Sequence, residues 1–102
     1  MLRERLKFKV VPNLRENFIQ KDAQIWTIGL AKYPRFLAQE VWISLSDHTE
    51  VTLIIFWATL EPWKALPLAD LQAIKDKFIQ ALREFYPVVE SAKYQVRKFP
   101  HF

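Results

Sequence analysis

The chain has 102 residues, of which 51% are hydrophobic, 15% are aromatic and 25% are charged, and its formal net charge is +4. This composition predicts one packed domain over residues 1–102 and excludes a disordered tail. The absence of cysteine excludes a disulfide framework and thiolate chemistry.

No segment has the length and apolar character of a membrane helix or a signal peptide. The longest apolar run, residues 51–60, is about half of the roughly 20 residues that a membrane helix needs. The N-terminal residues lack the apolar stretch of a signal peptide. We therefore expect a cytoplasmic protein without membrane contact.

The first third of the chain predicts a strand followed by a helix. Residues 5–11 alternate between apolar and basic side chains, which is typical of a half-buried strand that Pro12 ends. Asn13 then suits the N-cap of a helix, with Glu16 at capping-box spacing. The apolar residues at helical spacing in this segment are Ile19, Ala23, Trp26 and Leu30.

Residues 36–59 predict two adjacent strands that are apolar on both faces. Residues 51–58 have almost no polar break, and residues 46–49 form a turn between the two strands. A strand with one wet face should alternate, so this pattern indicates burial on both sides. Two helices can cover only one face of a small sheet. A second copy of the chain is the simplest cover for the other face.

The last third predicts a helix and a final strand. Pro67 suits the first turn of the helix, and Pro87 closes it. The apolar residues at helical spacing are Leu71, Ile74, Phe78, Leu82 and Phe85. Residues 90–98 alternate again, with Ala92, Tyr94 and Val96 opposite Lys93, Gln95 and Arg97.

The element order is therefore β-α-β-β-α-β, which predicts an α+β, ferredoxin-like fold: a four-stranded antiparallel sheet with two helices on one face. The helix-free face is expected to be apolar on one half and basic on the other, with the basic half formed by Arg5, Lys7, Lys9, Lys93 and Arg97. Two such sheets stacked face to face would bury the apolar half. Trp42 and Phe56 are the expected contacts of this dimer interface.

Short runs spread over nearly the whole chain resemble a small uncharacterised cyanobacterial family of the dimeric α+β barrel superfamily, alongside the antibiotic biosynthesis monooxygenases. These runs are Gln20-Lys21-Asp22, Ile25-Trp26-Thr27, Tyr33-Pro34, Phe36-Leu37, Glu40-Val41-Trp42, Trp57, Trp63-Lys64 and Tyr94-Gln95-Val96. The resemblance implies a homodimer with a pocket between sheet and helices in each subunit. Some relatives are cofactor-independent oxygenases of aromatic polyketides, and others degrade haem.

Two of the three residues that haem-degrading relatives use are missing here. Trp63 matches their tryptophan after the third strand, but the first strand has no asparagine and residues 66–87 contain no histidine. We therefore expect no haem and no other cofactor. With two histidines and no cysteine we also expect no metal site.

Glu40 is the candidate catalytic acid or base. It shares a strand register with Phe36, Ala38 and Trp42, so it is expected on a covered side of the sheet, where burial would raise its pKa. The competing interpretation is an ion pair across the dimer with Arg5, Lys7, Lys9 or Arg97.

Four aromatic residues are the candidate ligand pocket: Trp63, Trp57, Trp42 and Tyr94. Trp63 is expected at the mouth of a pocket between helix and sheet, because apolar pockets with few polar groups are the usual small-molecule sites. Trp42 and Trp57 lie on neighbouring predicted strands, and each fits either a cavity or the interface.

Two functions are compatible with these features. The first is a homodimer with a pocket for a small apolar or aromatic acid ligand and a cofactor-independent, monooxygenase-like activity. The alternative is a structural or regulatory dimer without catalysis. Nucleic acid is not an expected partner, because the third strand lacks the glycine and basic residue of RNA-recognition domains.

Overall fold

The computed structural model describes residues 1–61 and 66–98. Its elements, in chain order, are β1 (Leu2–Lys9), α1 (Pro12–Asp22), a π-helical turn (Ala23–Thr27), α2 (Ile28–Leu30), β2 (Phe36–Ile43), β3 (Glu50–Trp57), α3 (Leu68–Leu82) and β4 (Glu90–Gln95). Helical backbone continues from α1 through the π-helical turn into α2, so residues 12–30 form one helical segment. The predicted β-α-β-β-α-β order is confirmed.

The four strands form one antiparallel sheet in the order β2-β3-β1-β4. Phe8 of β1 lies opposite Val51 of β3, and both pack against Phe18 and Phe78 of the helices. Because side chains alternate along a strand, this pairing fixes the two faces.

Even-numbered residues of β1 and odd-numbered residues of β3 face the helices, as do the odd-numbered residues of β2 from Gln39 onward. We call this the covered face and the opposite side the open face. An irregularity between Phe36 and Ala38 places Phe36, which pairs with Trp57, on the covered face as well, so Phe36 does not share the register of Glu40. The ferredoxin-like fold is confirmed.

Phe18 is the centre of the core on the covered face. Its side chain is 0% exposed, and its ring centroid lies 5.4 Å from Phe8, 5.4 Å from Phe78 and 5.3 Å from Tyr86. Tilted and edge-on contacts of this kind favour aromatic pairs beyond the area they bury. Burying a side chain of this size stabilises the fold by about 1.5–3 kcal/mol. A second cluster, around Leu2, Leu30 and Trp57, continues the core toward the other end of the sheet.

The start and the buried stripe of the first helix differ from the sequence prediction. Val11, not Asn13, is the N-cap, and Pro12 is the first helical residue, where its missing N–H is not needed. Phe18, Asp22, Trp26 and Leu30 face inward, whereas Ala23 is exposed. In a regular α-helix, with 3.6 residues per turn, side chains spaced by four rotate gradually around the helix axis. The π-helical turn contains more residues per turn, which keeps these four side chains on one side. The prediction assumed a uniform period.

The boundaries of α3 and the ends of two strands also differ from the prediction. Pro67 is the N-cap of α3, and the helix ends at Leu82, before Pro87, because Arg83 takes a left-handed conformation with φ of 57°. Phe85 therefore lies beyond the helix and is largely exposed instead of buried. The strands β1 and β4 both end two or three residues earlier than predicted.

Candidate ligand cavity

A cavity lies between the covered face of the sheet and the helices. It has two adjoining lobes of about 230 Å³ and about 310 Å³. The walls shared by both lobes are Leu6, Trp26, Leu30, Ile55 and Leu71. Aromatic rings of Phe78, Phe85 and Tyr86 complete the first lobe, and Trp57 and Leu66 complete the second. An apolar concavity with few polar groups is the usual form of a small-molecule site.

Gly29 brings the first helical segment close to α3 above this cavity. A Cβ atom at this position would lie 3.1 Å from Cδ1 of Ile74 and 3.2 Å from its Cγ1, which is tighter than nearly all real contacts. Only glycine lets the two helices approach this closely without moving Ile74. The single glycine of the chain therefore sets the spacing of the helical layer that covers the cavity.

A hydrogen-bonded group of three polar side chains adjoins the first lobe. Gln39 of β2 lines the lobe, and its Nε2 donates to Oδ1 and Oδ2 of Asp22 at 3.0 and 3.1 Å. The hydroxyl of Thr27 donates to Oε1 of Gln39 at 2.8 Å. Asp22 is only 1% exposed, and this burial raises the pKa of its carboxyl to about 6, while the hydrogen bond from Gln39 acts in the opposite direction. We call these residues the Asp22–Gln39–Thr27 network.

Charged side chains surround the remaining openings. Nε1 of Trp57 donates to the carboxylate of Glu4 at 3.2 Å, and Lys93 lies opposite Glu4 across the strand pair. At the other end, Lys75 and Glu84 line the first lobe, and the hydroxyl of Tyr86 donates to Glu84 at 3.0 Å. Burial and the neighbouring Glu84 carboxylate both raise the pKa of Tyr86. The polar lining is thus mixed in sign.

The structure separates the three aromatic candidates that lie within the described residues. Trp57 is on the covered face and 3% exposed. Trp42 and Tyr94 are on the open face, 52% and 53% exposed, because they pair with Thr52 and Arg3. The sheet therefore separates them from Trp57. Trp63 lies outside the described residues.

Glu40 is also on the open face, opposite Ile54, and it is exposed in the single chain. Its carboxylate accepts a hydrogen bond of 3.2 Å from Nε1 of Trp42. It has no access to the cavity, because the sheet lies between them. The ion pair across a dimer remains a prediction, and the acid–base role would have to operate on the open face.

The open face combines a basic row with aromatic side chains. Arg3, Arg5, Lys7 and Lys9 project from β1, next to a hollow of about 360 Å³ formed with Trp42, Ile54, Phe56 and Tyr94. The guanidinium carbon of Arg3 lies 3.7 Å from the centroid of the Phe56 ring. The predicted basic half needs two corrections: Lys93 is on the covered side, because it pairs with Glu4, and Arg97 follows the end of β4.

Most of the basic row is neutralised within the chain. Arg5 and Lys7 contact Glu90, Lys7 also lies 3.3 Å from Glu50, and Lys9 contacts Asp47. These contacts raise the pKa of Lys7 and lower the pKa values of Asp47 and Glu90. Nη1 of Arg3 and Nε of Arg5 are buried without a hydrogen-bond partner among the described residues.

The polar network escaped the sequence analysis, although two signals were available. Asp22 lies at spacing of four with Phe18, Trp26 and Leu30, which places a carboxylate within an apolar stripe. Gln39 shares the odd register of Val41 and Ile43 in β2. A polar residue in each apolar pattern, both from elements that pack together, indicates a buried pair.

Within residues 1–61 and 66–98, no group of three His, Cys, Asp or Glu side chains could hold a metal ion. The same residues contain no helix with the length and apolar character needed to cross a membrane.

No family model matches the chain, and no curated protein does. Solved structures are similar to it over nearly its full length. SnoaB, a cofactor-independent oxygenase from Streptomyces nogalater, shares 16% identity at a TM-score of 0.67, covering 96% of this chain and 94% of that one. A monooxygenase from the ActVA-Orf6 gene of Streptomyces coelicolor, in complex with nanaomycin D, shares 15% identity at a TM-score of 0.72, with 98% and 90% covered.

A proposed antibiotic biosynthesis monooxygenase from Bordetella bronchiseptica shares 16% identity at a TM-score of 0.69, covering 93% of this chain and 95% of that one. At such low identity these likenesses show the fold alone. They support the resemblance to the antibiotic biosynthesis monooxygenases at that level. The narrower likeness to a cyanobacterial family remains a prediction.

Proposed function

We propose that this chain forms a homodimer that binds a small apolar or aromatic ligand between sheet and helices and oxidises it without a cofactor, as a monooxygenase would. The observation that carries the proposal is the two-lobed cavity, because its walls are apolar and aromatic and its polar groups are few. The fold shared with SnoaB and the ActVA-Orf6 monooxygenase supports the choice of reaction.

The open face supports the dimer. Trp42 and Tyr94 expose about half of their surface there, next to Ile54 and Phe56, and such patches usually mark an interaction site. A two-fold interface must be self-complementary, and this face offers Glu40 at one side and the basic row at the other. Stacking two such faces would bury about 800 Å² on each chain, which is an ordinary interface.

The chemistry of such a reaction limits the substrate. One oxygen atom of O₂ enters the substrate and the other leaves as water, so without a cofactor the substrate itself must supply the electrons and both hydrogens of that water. An aromatic compound with an activated CH₂ group meets this condition when the CH₂ becomes a carbonyl. Trp26 and Phe78 would hold its rings, and an acid group on the ligand would lie near Lys75 at the edge of the first lobe.

The alternative is the same dimer without catalysis. One observation favours it: among the described residues that line the cavity there is no histidine, and Asp22, the most deeply buried carboxylate nearby, bonds to Gln39. In that case the chain would bind a ligand, or a partner, without changing it. Its location in the cytoplasm stays a prediction in either case.

Oxygen uptake with anthrone separates the two functions. Anthrone plus O₂ gives anthraquinone plus water, so one O₂ should be consumed for each anthraquinone formed, faster than in buffer alone. Leu71→Trp places a larger side chain at the wall shared by both lobes, so the oxidation of anthrone should slow to its rate in buffer. Leu68→Trp, at an exposed position three residues earlier on α3, is the control and should keep the faster oxidation. Binding of anthrone without faster oxidation would favour the non-catalytic dimer.

A further inference from the structure

The hydrogen bonds of Gln39 define the orientation of its side-chain amide. An ionised carboxylate only accepts hydrogen bonds, so Asp22 requires that the Nε2 side of Gln39 turns toward it. Oε1 then points to Thr27, whose hydroxyl donates to it at 2.8 Å. A neutral residue at position 22 could pair with either end of the amide. The negative charge of Asp22 therefore decides which way Gln39 points.

This arrangement leaves hydrogen-bonding capacity unused at the cavity. The Nε2 group has two N–H bonds, and one of them suffices for the two oxygens of Asp22. In the described residues no acceptor is bonded to the second, and Gln39 lines the first lobe. An oriented donor at the wall of an apolar cavity leaves a polar group poorly solvated until a ligand accepts its hydrogen bond.

We propose that Gln39 donates this second N–H to a neutral carbonyl oxygen of the ligand, and that Asp22 and Thr27 are positioning residues that hold the amide for this contact. The proposal rests on the ligand cavity of the proposed function and names the chemical group recognised there. The charge of Asp22, bonded directly to the amide, disfavours an anion at this end of the lobe.

The other polar side chains of the first lobe lie on a different wall from Gln39. The hydroxyl of Tyr86 donates to Glu84, and Nζ of Lys75 lies 5.7 Å from the ring centroid of Phe85. These residues belong to α3 and the segment that follows it, whereas Gln39 comes from β2. A flat ligand with its carbonyl at Gln39 could therefore keep its rings between Trp26 and Phe78.

A matched pair of ligands isolates this hydrogen bond. 9-Fluorenone and fluorene have the same three fused rings and differ only in the carbonyl, so the ratio of their dissociation constants reports the polar contact. Equilibrium dialysis at pH 8, where Asp22 is ionised, should show fluorenone bound about tenfold more tightly by the wild-type chain.

Three variants assign the preference. Gln39→Leu should reduce the ratio to about one while fluorene still binds, because the apolar wall is kept. Asp22→Asn should reduce the ratio to about threefold without lowering the thermal midpoint, since a neutral amide still accepts from Gln39 but no longer fixes its orientation. Gln95→Leu, at an exposed glutamine of β4, is the control and should leave the ratio unchanged.

Each result has one meaning. A wild-type chain that binds both compounds equally, or a preference that survives Gln39→Leu, overturns the role of Gln39 but leaves the ligand cavity intact. A chain that binds neither compound overturns both the inference and the proposed function. If Gln39→Leu does not fold, Asp22→Asn decides: a full tenfold preference there would contradict the positioning role. A purely structural Asp22 would lower the thermal midpoint and leave the ratio alone.

Discussion

The two faces of the sheet carry similar aromatic residues in different environments. On the covered face, Trp57 is 3% exposed and packs among residues of the same chain. On the open face, Trp42 is 52% exposed and only its indole N–H is bonded, to Glu40. One face is complete within a single chain and still contains a cavity. The other exposes apolar area that a second chain could cover. The proposed ligand binding and the proposed assembly therefore lie on opposite sides of the sheet.

The largest effect is expected where the covered face is densest. Phe18→Ala removes a fully buried ring that contacts three other rings, so the free energy of unfolding should fall by about 3–5 kcal/mol. Chemical denaturation measures this change. Phe56→Ala is the matched substitution on the open face, where the loss should depend on protein concentration because it acts through the dimer. Equal, concentration-independent losses would contradict the distinction between the faces.

A charge on the open face should disrupt assembly rather than the core. Trp42→Glu would place an unpaired carboxylate in the proposed interface and raise the dimer dissociation constant at least about a hundredfold, which corresponds to about 3 kcal/mol. Sedimentation velocity over a dilution series measures it. Leu45→Glu, at a loop residue that is 95% exposed, is the control and should leave the dimer unchanged. A dimer that tolerates Trp42→Glu does not use this face.

The covered face has a stability cost that depends on pH. The pKa of Asp22 is about 6 when folded and near its ordinary value of 3.8 when unfolded, so the folded chain binds more protons between these values. The free energy of unfolding should therefore fall by about 2 kcal/mol from this group as the pH rises from 4 to 6. Asp47 and Glu90 have lowered pKa values and act in the opposite direction.

Because of those opposing groups, the difference between wild type and Asp22→Asn is the quantity to measure. Denaturation at several pH values should show that the free energy of unfolding of Asp22→Asn increases relative to that of the wild type as the pH rises through this range. A pH-independent difference would mean that the Asp22 carboxyl titrates normally.

The smallest effect concerns the spacing of the helical layer. Gly29→Ala should improve helix propensity by about 1 kcal/mol but force its Cβ against Ile74. We therefore expect Gly29→Ala to be about 1 kcal/mol more favourable in an Ile74→Ala background than in the wild type. A double-mutant cycle measures this coupling. An additive cycle would show that Ile74 does not restrict position 29.

The fold was predictable because the patterns that specify it are local. The nearly continuous apolar residues of β3, the apolar residues on both faces of β2 and the alternation in β1 predict the strands without any knowledge of their partners. The face on which each tryptophan lies was harder to predict, because a one-residue change of register places a side chain on the opposite face of the sheet. Trp42 and Trp57 are separated in this way by the pairing of β2 with β3.

The polar part of the site was not predictable from one element at a time. Asp22 is the last residue of α1, and its place within an apolar stripe indicates burial but not the partner to which its carboxylate bonds. Gln39 gains its role only when Asp22 and Thr27 are brought next to it from another element. Properties that depend on two distant segments meeting are visible only in the folded chain.

Sedimentation equilibrium of the wild-type chain tests the division between the two faces most directly. We predict a mass of twice 12.2 kDa at micromolar concentrations, because the proposed interface covers the open face with a second copy. A mass of 12.2 kDa throughout would contradict it, since the aromatic residues of the open face would then remain in water and assembly would not be their function.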